Sequence, residues 1–578
     1  MADHRHLGTA IKGKNMADFD VIIVGSGMSG GWAAKEFSEK GMKTLVLERG
    51  RNVEKGVDYI GENTAPWDWP GRDTVTPQMR ADNPIQSQCY AFRESTQNFF
   101  AKDADNPYSV EEGTEFTYIR GDQVGGRSLL WARQTYRWSE MDFNSNKRDG
   151  HGVDWPIRYN DIAPWYDHVE KFVGVSGSAE GLPQLPDGHF QPPMQLNIVE
   201  KDIKAGLEAA FPDRNLIIGR AAHLTKPTQE QLELGRGSCQ FRNQCQRGCS
   251  FGAYFSSVSA TLPAANRTNN MTLISDTQVE RIVYDPATKK ATGVQTVNRN
   301  TGAREEYSAR IIFMCASTFG TLQIMLNSAN ETFQTGFANR SNTLGRYIMD
   351  HHHRSGARGR FEHHQDKYYK GRRPNGLYIP RFRNLERDDQ YFLRGYAFQG
   401  RANRPSWEST SYKQGVGAEY KNSLRTPAGW DVVLTGFGET LPHVDNRVTL
   451  HPTKTDKHGM PQIHIDAKLR ENEIRMREDM ATTAAEMLVA GGCIDVKPYT
   501  KDTVLGLGIH EMGGARMGRD PSTSVLNAHN QCHDVDNVFV TDGACMASSA
   551  CQNPSLTYMA LTARAVDYAV TQVKQGKL

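Results

Sequence analysis

Two segments near the C-terminal end of the sequence each carry a side chain that can handle a proton or a hydrogen bond. They are Leu507-Gly-Ile-His-Glu-Met-Gly-Gly-Ala-Arg-Met-Gly518 and Ala550-Cys-Gln-Asn-Pro-Ser-Leu-Thr-Tyr558. These segments place His510 and Asn553 on turns at the two ends of a strand-loop-strand unit. A neutral imidazole accepts a hydroxyl proton near neutral pH, and an amide donates a hydrogen bond to the same oxygen without competing for the proton. The sequence therefore predicts His510 as a base and Asn553 as its partner.

A glycine-rich turn near the other end of the chain predicts dinucleotide binding. A buried strand is followed at once by Gly25, Gly27 and Gly30 and then by a helix. These glycines permit the tight turn, the approach of the backbone to a pyrophosphate at the helix N-terminus, and close helix-to-strand packing. Glu48 ends the second strand, at the distance where an acid binds ribose hydroxyls. The spacing alone does not separate NAD from FAD, but a late strand over 537–544 that returns to the first domain favours FAD.

Four blocks, in this order, resemble the glucose-methanol-choline (GMC) oxidoreductases. They are the glycine turn with Glu48-Arg-Gly50, the loop Gly121-Asp-Gln-Val-Gly-Gly-Arg-Ser-Leu-Leu-Trp131, the segment Leu344-Gly-Arg-Tyr-Ile-Met-Asp-His351, and the two C-terminal segments. The resemblance extends from about residue 18 to 570. This resemblance favours a catalytic role for His510. The alternative is that His510 is a polar residue at a turn whose hydrogen bonds are purely structural.

The resemblance implies an FAD-dependent enzyme that moves a hydride from a carbinol carbon to flavin N5. It assigns the ADP half of FAD to Gly25, Gly27, Gly30 and Glu48, the pyrophosphate and flavin to Gly125, Gly126 and Ser128, and the ribityl chain to Asp542 and Gly543. Some relatives attach the flavin covalently through a histidine just before the tryptophan of the second block. Leu130 stands at that position, so noncovalent FAD is predicted.

Three cysteines form a second group of residues, which could bind a metal ion or an iron-sulfur cluster through their thiolates. Cys239, Cys245 and Cys249 have C-x5-C-x3-C spacing on a glycine-flanked segment. Three thiolates without a fourth ligand disfavour structural zinc and are compatible with a three-iron cluster, whereas buried or mutually oxidisable thiols are the alternative. The segment also resembles the cluster loop of GMC dehydrogenases, so an iron-sulfur cluster is predicted.

Such a cluster implies a particular electron acceptor and compartment. It favours a dehydrogenase that passes electrons to a protein, with a small subunit and a cytochrome c-type acceptor as partners. Relatives of this kind reach the periplasm by co-export with the small subunit, and cytoplasmic residence is the simpler alternative. The first 15 residues lack the apolar region of a secretory signal, so we expect no signal peptide in this chain.

The composition gives no support for a nucleic-acid-binding protein, a membrane-spanning protein or a disulfide-rich protein. The 68 Lys and Arg against 66 Asp and Glu give a net charge of +2, which is no reason to expect nucleic acid or an anionic membrane as partner. No apolar run approaches the roughly 18 to 20 residues that span a bilayer. The odd number of scattered cysteines does not indicate a disulfide framework.

The fold expected is α/β, with a Rossmann-like FAD-binding domain of GMC type interleaved with a substrate domain on an antiparallel sheet with flanking helices. Strands are predicted over 430–439, 446–451 and 460–466, and an amphipathic helix over 471–490. The predicted boundaries are a flexible tail at 1–16, an FAD-binding domain at 17–60, 113–145, 255–350 and 503–578, and a substrate domain with the cysteine loop at 61–112, 146–254 and 351–502.

The substrate is the least constrained prediction. Arg401, Arg404, Trp407 and Tyr412 are candidates for sugar contacts, and the cysteine and C-terminal segments resemble bacterial glucoside 3-dehydrogenase large subunits. A sugar or glycoside oxidised at C3 is therefore expected. The alternatives are a gluconate- or sorbitol-type dehydrogenase, an oxygen-using sugar oxidase, and an electron-transfer flavoprotein without turnover. The run His351-His-His353 is interpreted as a loop without a catalytic role.

Overall fold

A computed structural model describes residues 19–367, 375–387, 390–404, 415–425 and 429–578. The tail predicted at 1–16 and the candidates Trp407 and Tyr412 lie outside these residues.

The described chain contains the following strands and helices. The strands are β1 (Phe19–Val24), β2 (Thr44–Leu47), β3 (Ser109–Val110), β4 (Val175–Ser176), β5 (Phe190–Gln191), β6 (Ile217–Ile218), β7 (Met271–Ile274), β8 (Thr277–Asp285), β9 (Lys290–Asn298), β10 (Arg304–Met314), β11 (Arg346–Met349), β12 (Ser355–Phe361), β13 (Leu377–Ile379), β14 (Tyr396–Asn403), β15 (Trp430–Gly438), β16 (Arg447–Thr455), β17 (Pro461–Asp466), β18 (Ile494–Thr500), β19 (Met512–Gly514) and β20 (Val538–Val540). The helices are α1 (Met28–Glu39), α2 (Pro77–Asp82), α3 (Glu140–Asp149), α4 (Tyr159–Val173), α5 (Ile198–Ala210), α6 (Gln229–Glu233), α7 (Thr261–Asn266), α8 (Thr318–Asn327), α9 (Gly417–Arg425), α10 (Glu471–Ala490) and α11 (Ser555–Lys574).

The nucleotide-type sheet contains the first and the last strand of the described chain, β1 and β20. Its parallel part has the order β7-β2-β1-β10-β20, and β8 and β9 extend it as an antiparallel meander that pairs with the first half of β10. Residues Val21 to Val24 of β1 are buried, as expected for a parallel strand covered on both faces. Helix α1 packs on this sheet and against α7 and α11. The predicted Rossmann-like part of the fold is thereby confirmed.

A six-stranded sheet has the order β18-β12-β15-β14-β13-β6, and its pairings are antiparallel. In β15 every second residue is buried, because one face of the sheet packs on α10 while the other face remains accessible. Helix α10 has the bounds that the sequence predicted. This sheet is the antiparallel layer expected of the substrate domain.

A five-stranded sheet, β19-β11-β16-β17-β3, connects segments that are distant in the chain. It positions the site because β11 ends just before Asp350 and β19 begins just after His510. The predicted α/β class with two interleaved layers is confirmed, whereas the domain boundaries given above stay a prediction. No helix of the described residues has the length and apolar character needed to cross a membrane.

Candidate active site

A cavity of about 1550 Å³ is lined by residues of both large sheets. It brings together most of the residues that the sequence singled out from distant segments. These residues are Gly25, Gly27, Glu48, Gly126, Ser128, His510, Asp542, Gly543 and Asn553. Gly30 and Gly125 are absent from the lining, and both have backbone packing roles.

The turn between β1 and α1 has the geometry that its glycines allow. Gly25 has φ +99°, and a Cβ there would lie 2.4 Å from the carbonyl oxygen of Cys315. A Cβ on Gly30 would lie 1.9 Å from the Gly25 oxygen, so this glycine permits the close packing of helix on turn. At Gly27 the nearest atom to an added Cβ is 3.9 Å away, and the residue faces the cavity. The start of α1 therefore offers bare backbone to a ligand, which suits a pyrophosphate.

Glu48 is buried beside this turn. Its carboxylate accepts hydrogen bonds from the backbone N–H and the hydroxyl of Ser26, at 3.1 and 2.6 Å, and from the N–H of Gly50 at 2.9 Å. Burial raises its pKa, partly offset by these donors. The carboxylate lines the cavity and has lone pairs left for hydroxyl donors such as those of a ribose.

Gly125 and Gly126 lie opposite the glycine turn between β1 and α1. Gly125 and Gly126 have φ +88° and +47°, and a Cβ on Gly126 would meet only Gly27, at 3.9 Å. Ser128 contributes structure, because its hydroxyl donates to the Gly125 oxygen at 2.6 Å and accepts from the N–H of Ser257 at 3.1 Å. The two glycine turns thus leave space between them for a ligand, and the residues present fit an FAD pyrophosphate.

The C-terminal segment completes this side of the cavity. Asp542 accepts from the Thr321 hydroxyl at 2.5 Å and from the N–H of Ala544 at 3.0 Å. Burial raises its pKa to about 6. A Cβ on Gly543 would lie 2.3 Å from the Glu511 carbonyl oxygen, so only glycine fits where this strand end packs against the turn that carries His510.

An ion pair that the sequence analysis missed joins the two loops. Arg127 Nη2 lies 2.7 Å from Glu511 Oε2, and the Glu511 side chain has 0% exposure. Burial lowers the pKa of Arg127, but the charge of Glu511 more than offsets it, so that the net shift is upward. The two residues are 384 positions apart in the chain, and spacing could not have predicted the pair.

His510 and Asn553 meet at the cavity wall, as the sequence predicted. The amide Nδ2 of Asn553 lies 3.2 Å from His510 Nε2. Asn553 is itself held by Gln399, whose Nε2 donates to Asn553 Oδ1 at 2.9 Å. Gln134 in turn donates to Gln399 at 3.0 Å and accepts from the Tyr136 hydroxyl at 2.6 Å. The amide is therefore oriented by a chain of directed hydrogen bonds.

His351, which the sequence predicts to lie in a loop without a catalytic role, lies directly behind His510. The two Nδ1 atoms are 2.9 Å apart, and His351 Nε2 lies 3.0 and 2.8 Å from the carbonyl oxygens of Ser549 and Ala550. The neighbouring Asp350 accepts hydrogen bonds from the N–H groups of Gly506, Gly508 and His510, at 2.7, 2.9 and 2.9 Å. The Met-Asp-His segment thus holds both the backbone and the imidazole of His510.

Burial keeps these imidazoles neutral. The pKa of His510 is lowered well below its ordinary value by burial and by the nearby His351 and Arg127. Burial also lowers the pKa of His351 to about 4. His510 is therefore unprotonated throughout the neutral range, which is the form that can accept a proton.

The cluster predicted on the cysteine loop receives no support from the structure. Within the described ranges, no three His, Cys, Asp or Glu side chains approach closely enough to hold a metal ion. Cys245 lines the cavity whereas Cys239 and Cys249 do not, and the pKa of Cys239 is raised to about 11 by burial and by the neighbouring Cys245 and Cys249 thiols. Left-handed residues at Phe241 and Asn243 redirect the chain between the first two cysteines.

Other polar residues of the cavity wall were only partly anticipated. Arg401 and Arg404 were candidates for sugar contacts, and both line the cavity. Gln134, Asn375 and Gln399 line it as well, but nothing in the sequence distinguished them. Gln399 and Arg401 are two residues apart on β14, a spacing that could have placed them on one face of a strand.

Comparisons with known proteins agree with this arrangement. Family models described as GMC oxidoreductase match residues 19–353 and 442–562. The chain is 28% identical to 2-methyl-1,2-propanediol dehydrogenase of Mycolicibacterium austroafricanum, over 95% of this chain and 94% of the relative. It is 25% identical to the fructose dehydrogenase large subunit of Gluconobacter japonicus, over 96% and 98%.

A solved structure shows the same fold at lower identity. Pyridoxine 4-oxidase from Mesorbium loti superimposes with a TM-score of 0.59 and 14% identity, over 96% of this chain and 99% of the other. This likeness concerns the fold alone. The match of the family models over most of the chain shows that the protein belongs to the GMC oxidoreductase family, as an FAD-dependent enzyme that acts on CH–OH groups.

Proposed function

We propose that this protein is a dehydrogenase that oxidises a secondary hydroxyl of a sugar or glycoside, with C3 of a glucose-type sugar as the first position to test and a 3-keto sugar as product. The observation that carries the proposal is the His510–Asn553 pair, which faces the same cavity as the glycine turns. The polar wall beside it, with Gln134, Asn375 and Gln399, offers donors and acceptors for several further hydroxyls.

The roles of the side chains follow from this arrangement. His510 Nε2 accepts the proton of the hydroxyl that is oxidised, while Asn553 Nδ2 donates to the same oxygen. Gln399 keeps the amide in that orientation. When bound, FAD supplies the two-electron acceptor, held by Gly27, Glu48, Gly126 and Asp542.

Anaerobic reduction of the flavin tests the proposal. Glucose, methyl glucoside, gluconate and sorbitol are added separately to purified protein, the flavin spectrum is followed, and the product is identified by NMR. We expect bleaching with at least one of them and a ketone at a secondary position. The His510→Ala protein should keep FAD and lose at least about a hundredfold in the rate of reduction, since general bases contribute that much or more.

Each alternative predicts a different result. An oxidase would form hydrogen peroxide under air at the rate of turnover. A flavoprotein that only transfers electrons would reduce an electron-accepting dye equally well as wild type and as His510→Ala, and this result would refute the proposal. Oxidation at a position other than C3 would preserve the reaction class and correct the site of attack.

The attachment of the flavin forms a separate part of the proposal. We propose noncovalent FAD because Leu130, which lines the cavity, cannot form the bond that a histidine forms. Acid precipitation should release all the flavin into the supernatant.

The electron acceptor also requires its own experiment. Transfer to a protein acceptor, the small subunit, the three-iron cluster and the periplasmic location all stay predictions of the sequence. Among the described residues no three His, Cys, Asp or Glu side chains form a metal-binding group, so the cluster has no structural support. Iron analysis and electron paramagnetic resonance of the isolated protein decide the cluster, and co-purification of a cytochrome tests the partners.

A further inference from the structure

The accessible face of the six-stranded sheet carries a row of cations. Arg358 on β12 and Arg401 on β14 are both paired with Val433 on β15, and Lys497 on β18 is paired with Arg358. Residues that are directly opposite on neighbouring strands share a face of the sheet. Lys497, Arg358 and Arg401 therefore point to the same side, and the two arginines line the cavity that contains His510.

Among the described residues, the two arginines of this row form no ion pair, unlike Arg360 on the same sheet, and the only acid on which the charge of Arg358 is seen to act is Asp431. Arg360, two residues beyond Arg358, forms ion pairs with Glu362 at 3.0 Å and with Asp495 at 3.1 Å. No ion pair with a carboxylate of the described residues is formed by Arg358 or Arg401. Asp431 lies in the next row, opposite Arg360 and Asn403, and is the one acid on this part of the cavity lining.

The arrangement costs free energy by itself. Like charges that are directly opposite in a sheet destabilise it, as for Arg358 and Lys497. The pKa of Arg401 is lowered by burial and further by the charge of Arg358. An anion between the two guanidinium groups would remove this repulsion and form charge-assisted hydrogen bonds.

The distance from the proton-handling pair fits a small substrate. Gln399, which contacts Asn553, and Arg401 are two residues apart on β14 and face the same side, about 7 Å apart along the strand. Arg358 lies two strands away from Arg401, at about 10 Å, within reach of two long side chains. A sugar acid can therefore place one hydroxyl at His510 while its charged end reaches the arginines.

We propose that Arg358 and Arg401 form an anion-binding subsite, and that the preferred substrate is a polyhydroxy compound that carries a carboxylate or a phosphate. This inference rests on the proposed function and specifies its substrate class. Neutral sugars and alditols then lack one of the contacts for which the cavity is built.

Matched substrates and variants test the subsite. Gluconate and sorbitol share a carbon skeleton and differ in charge, as do glucose 6-phosphate and glucose. We expect kcat/KM for one anionic member to exceed that of its neutral partner by at least about tenfold, the effect of a single charge-assisted contact. Which anion is preferred distinguishes a carboxylate from a phosphate.

The variants Arg358→Gln and Arg401→Gln should each lower kcat/KM for the anion by about tenfold more than they lower kcat/KM for its neutral partner. Arg360→Gln, on the same strand and face but in ion pairs of its own, is the control and should change neither. Equal kcat/KM for anionic and neutral substrates, or an anion preference that survives the double substitution, would overturn the proposal.

Two further measurements test the subsite even if the arginine variants misfold or the proposed function is wrong. In the wild type, raising the ionic strength should lower kcat/KM for the anion and not for the neutral partner; equal salt dependence contradicts the subsite. Calorimetric titration of gluconate and glucose 6-phosphate into His510→Ala holoenzyme measures binding without turnover. Binding that is lost with both arginines supports the subsite even if no alcohol reduces the flavin, whereas no binding of either anion refutes it.

Discussion

His351 and His510 face each other through their Nδ1 atoms, which are 2.9 Å apart. The carbonyl oxygens of Ser549 and Ala550 can only accept, so His351 Nε2 carries a proton and donates to them. The Nδ1 of a neutral His351 is then an acceptor, and His510 must donate from its own Nδ1. The main chain at 549–550 thereby fixes the tautomer of His510 that leaves Nε2 without a proton on the cavity side.

Replacing His351 should therefore impair proton transfer without removing the base. We expect His351→Leu to lower kcat by about 10- to 100-fold, because the unassisted imidazole populates the wrong tautomer. His351→Asn keeps an acceptor near the position of Nδ1 and should recover much of the loss. The measurements are kcat against pH and the nitrogen NMR shifts of His510; equal activity of the Leu and Asn variants would contradict the tautomer argument.

The histidine next in sequence should affect stability as the pH falls. Burial lowers the pKa of His352 to about 3, whereas an unfolded histidine has a pKa of about 6.5. Between these values the unfolded chain binds a proton that the folded chain does not, so acidification from pH 6.5 towards 3 removes stability. Wild type should lose about 2 kcal/mol relative to His352→Gln between pH 7 and pH 5.

Urea unfolding of both proteins at the two pH values measures this difference, and the comparison is needed because other buried groups act in the opposite sense. Burial raises the pKa values of Asp350 and Glu439 to about 7, which makes the folded state less stable as the pH rises. These contributions are shared by the two proteins and cancel. A pH-independent difference between them would show that His352 is not the titrating group.

Gly27 should be required for the cofactor and dispensable for the fold. Its φ of −72° is open to any residue, and an added Cβ has no neighbour closer than 3.9 Å. We expect Gly27→Ala to change the unfolding free energy by less than about 1 kcal/mol and to lose most of its flavin, measured by the absorbance near 450 nm. Gly429→Ala, away from the cavity, is the control; full flavin content in Gly27→Ala would remove the pyrophosphate assignment.

Glu511 should be needed for stability through Arg127. Removing the charge leaves a largely buried guanidinium without its partner, at a cost of about 2–3 kcal/mol. Thermal unfolding of Glu511→Gln measures it. Asp495→Asn breaks the accessible pair with Arg360, whose side chains are 58% and 52% exposed, and should cost less than about 1 kcal/mol. Equal losses would mean that burial of the Arg127–Glu511 pair has no special importance.

The sequence was informative where function depends on local chain geometry. The glycine turn and Glu48 belong to one strand-turn-helix-strand unit, so their spacing was enough. The contact of His351 with His510 was not predictable, because the two residues are 159 positions apart and only the packing of β11 beside β19 brings them together. The cation row was equally hidden, since Arg358 and Arg401 are neighbours only through their common register with Val433.

The cysteine spacing illustrates the opposite limit. C-x5-C-x3-C permits three thiols to converge, but spacing does not fix the path of the chain between them. Left-handed turns and the hydrogen bonds of Arg242 and Ser250 with Glu62 set that path here. The cysteine spacing therefore indicated which ligands were possible, whereas the positions of the three thiols depend on Glu62, which is distant in the sequence.

The strand β20 joins the nucleotide-type sheet beside β10, and Ser29 at the start of α1 donates to the carbonyl oxygen of Thr541 at 3.1 Å. The first and last parts of the described chain therefore share one layer. During synthesis the N-terminal glycine turn leaves the ribosome long before the strand that completes its sheet. Such long-range pairing forms late, so we expect FAD to bind only after β20 has been synthesised and has paired with β10. Bound FAD would then contact both segments and stabilise their association.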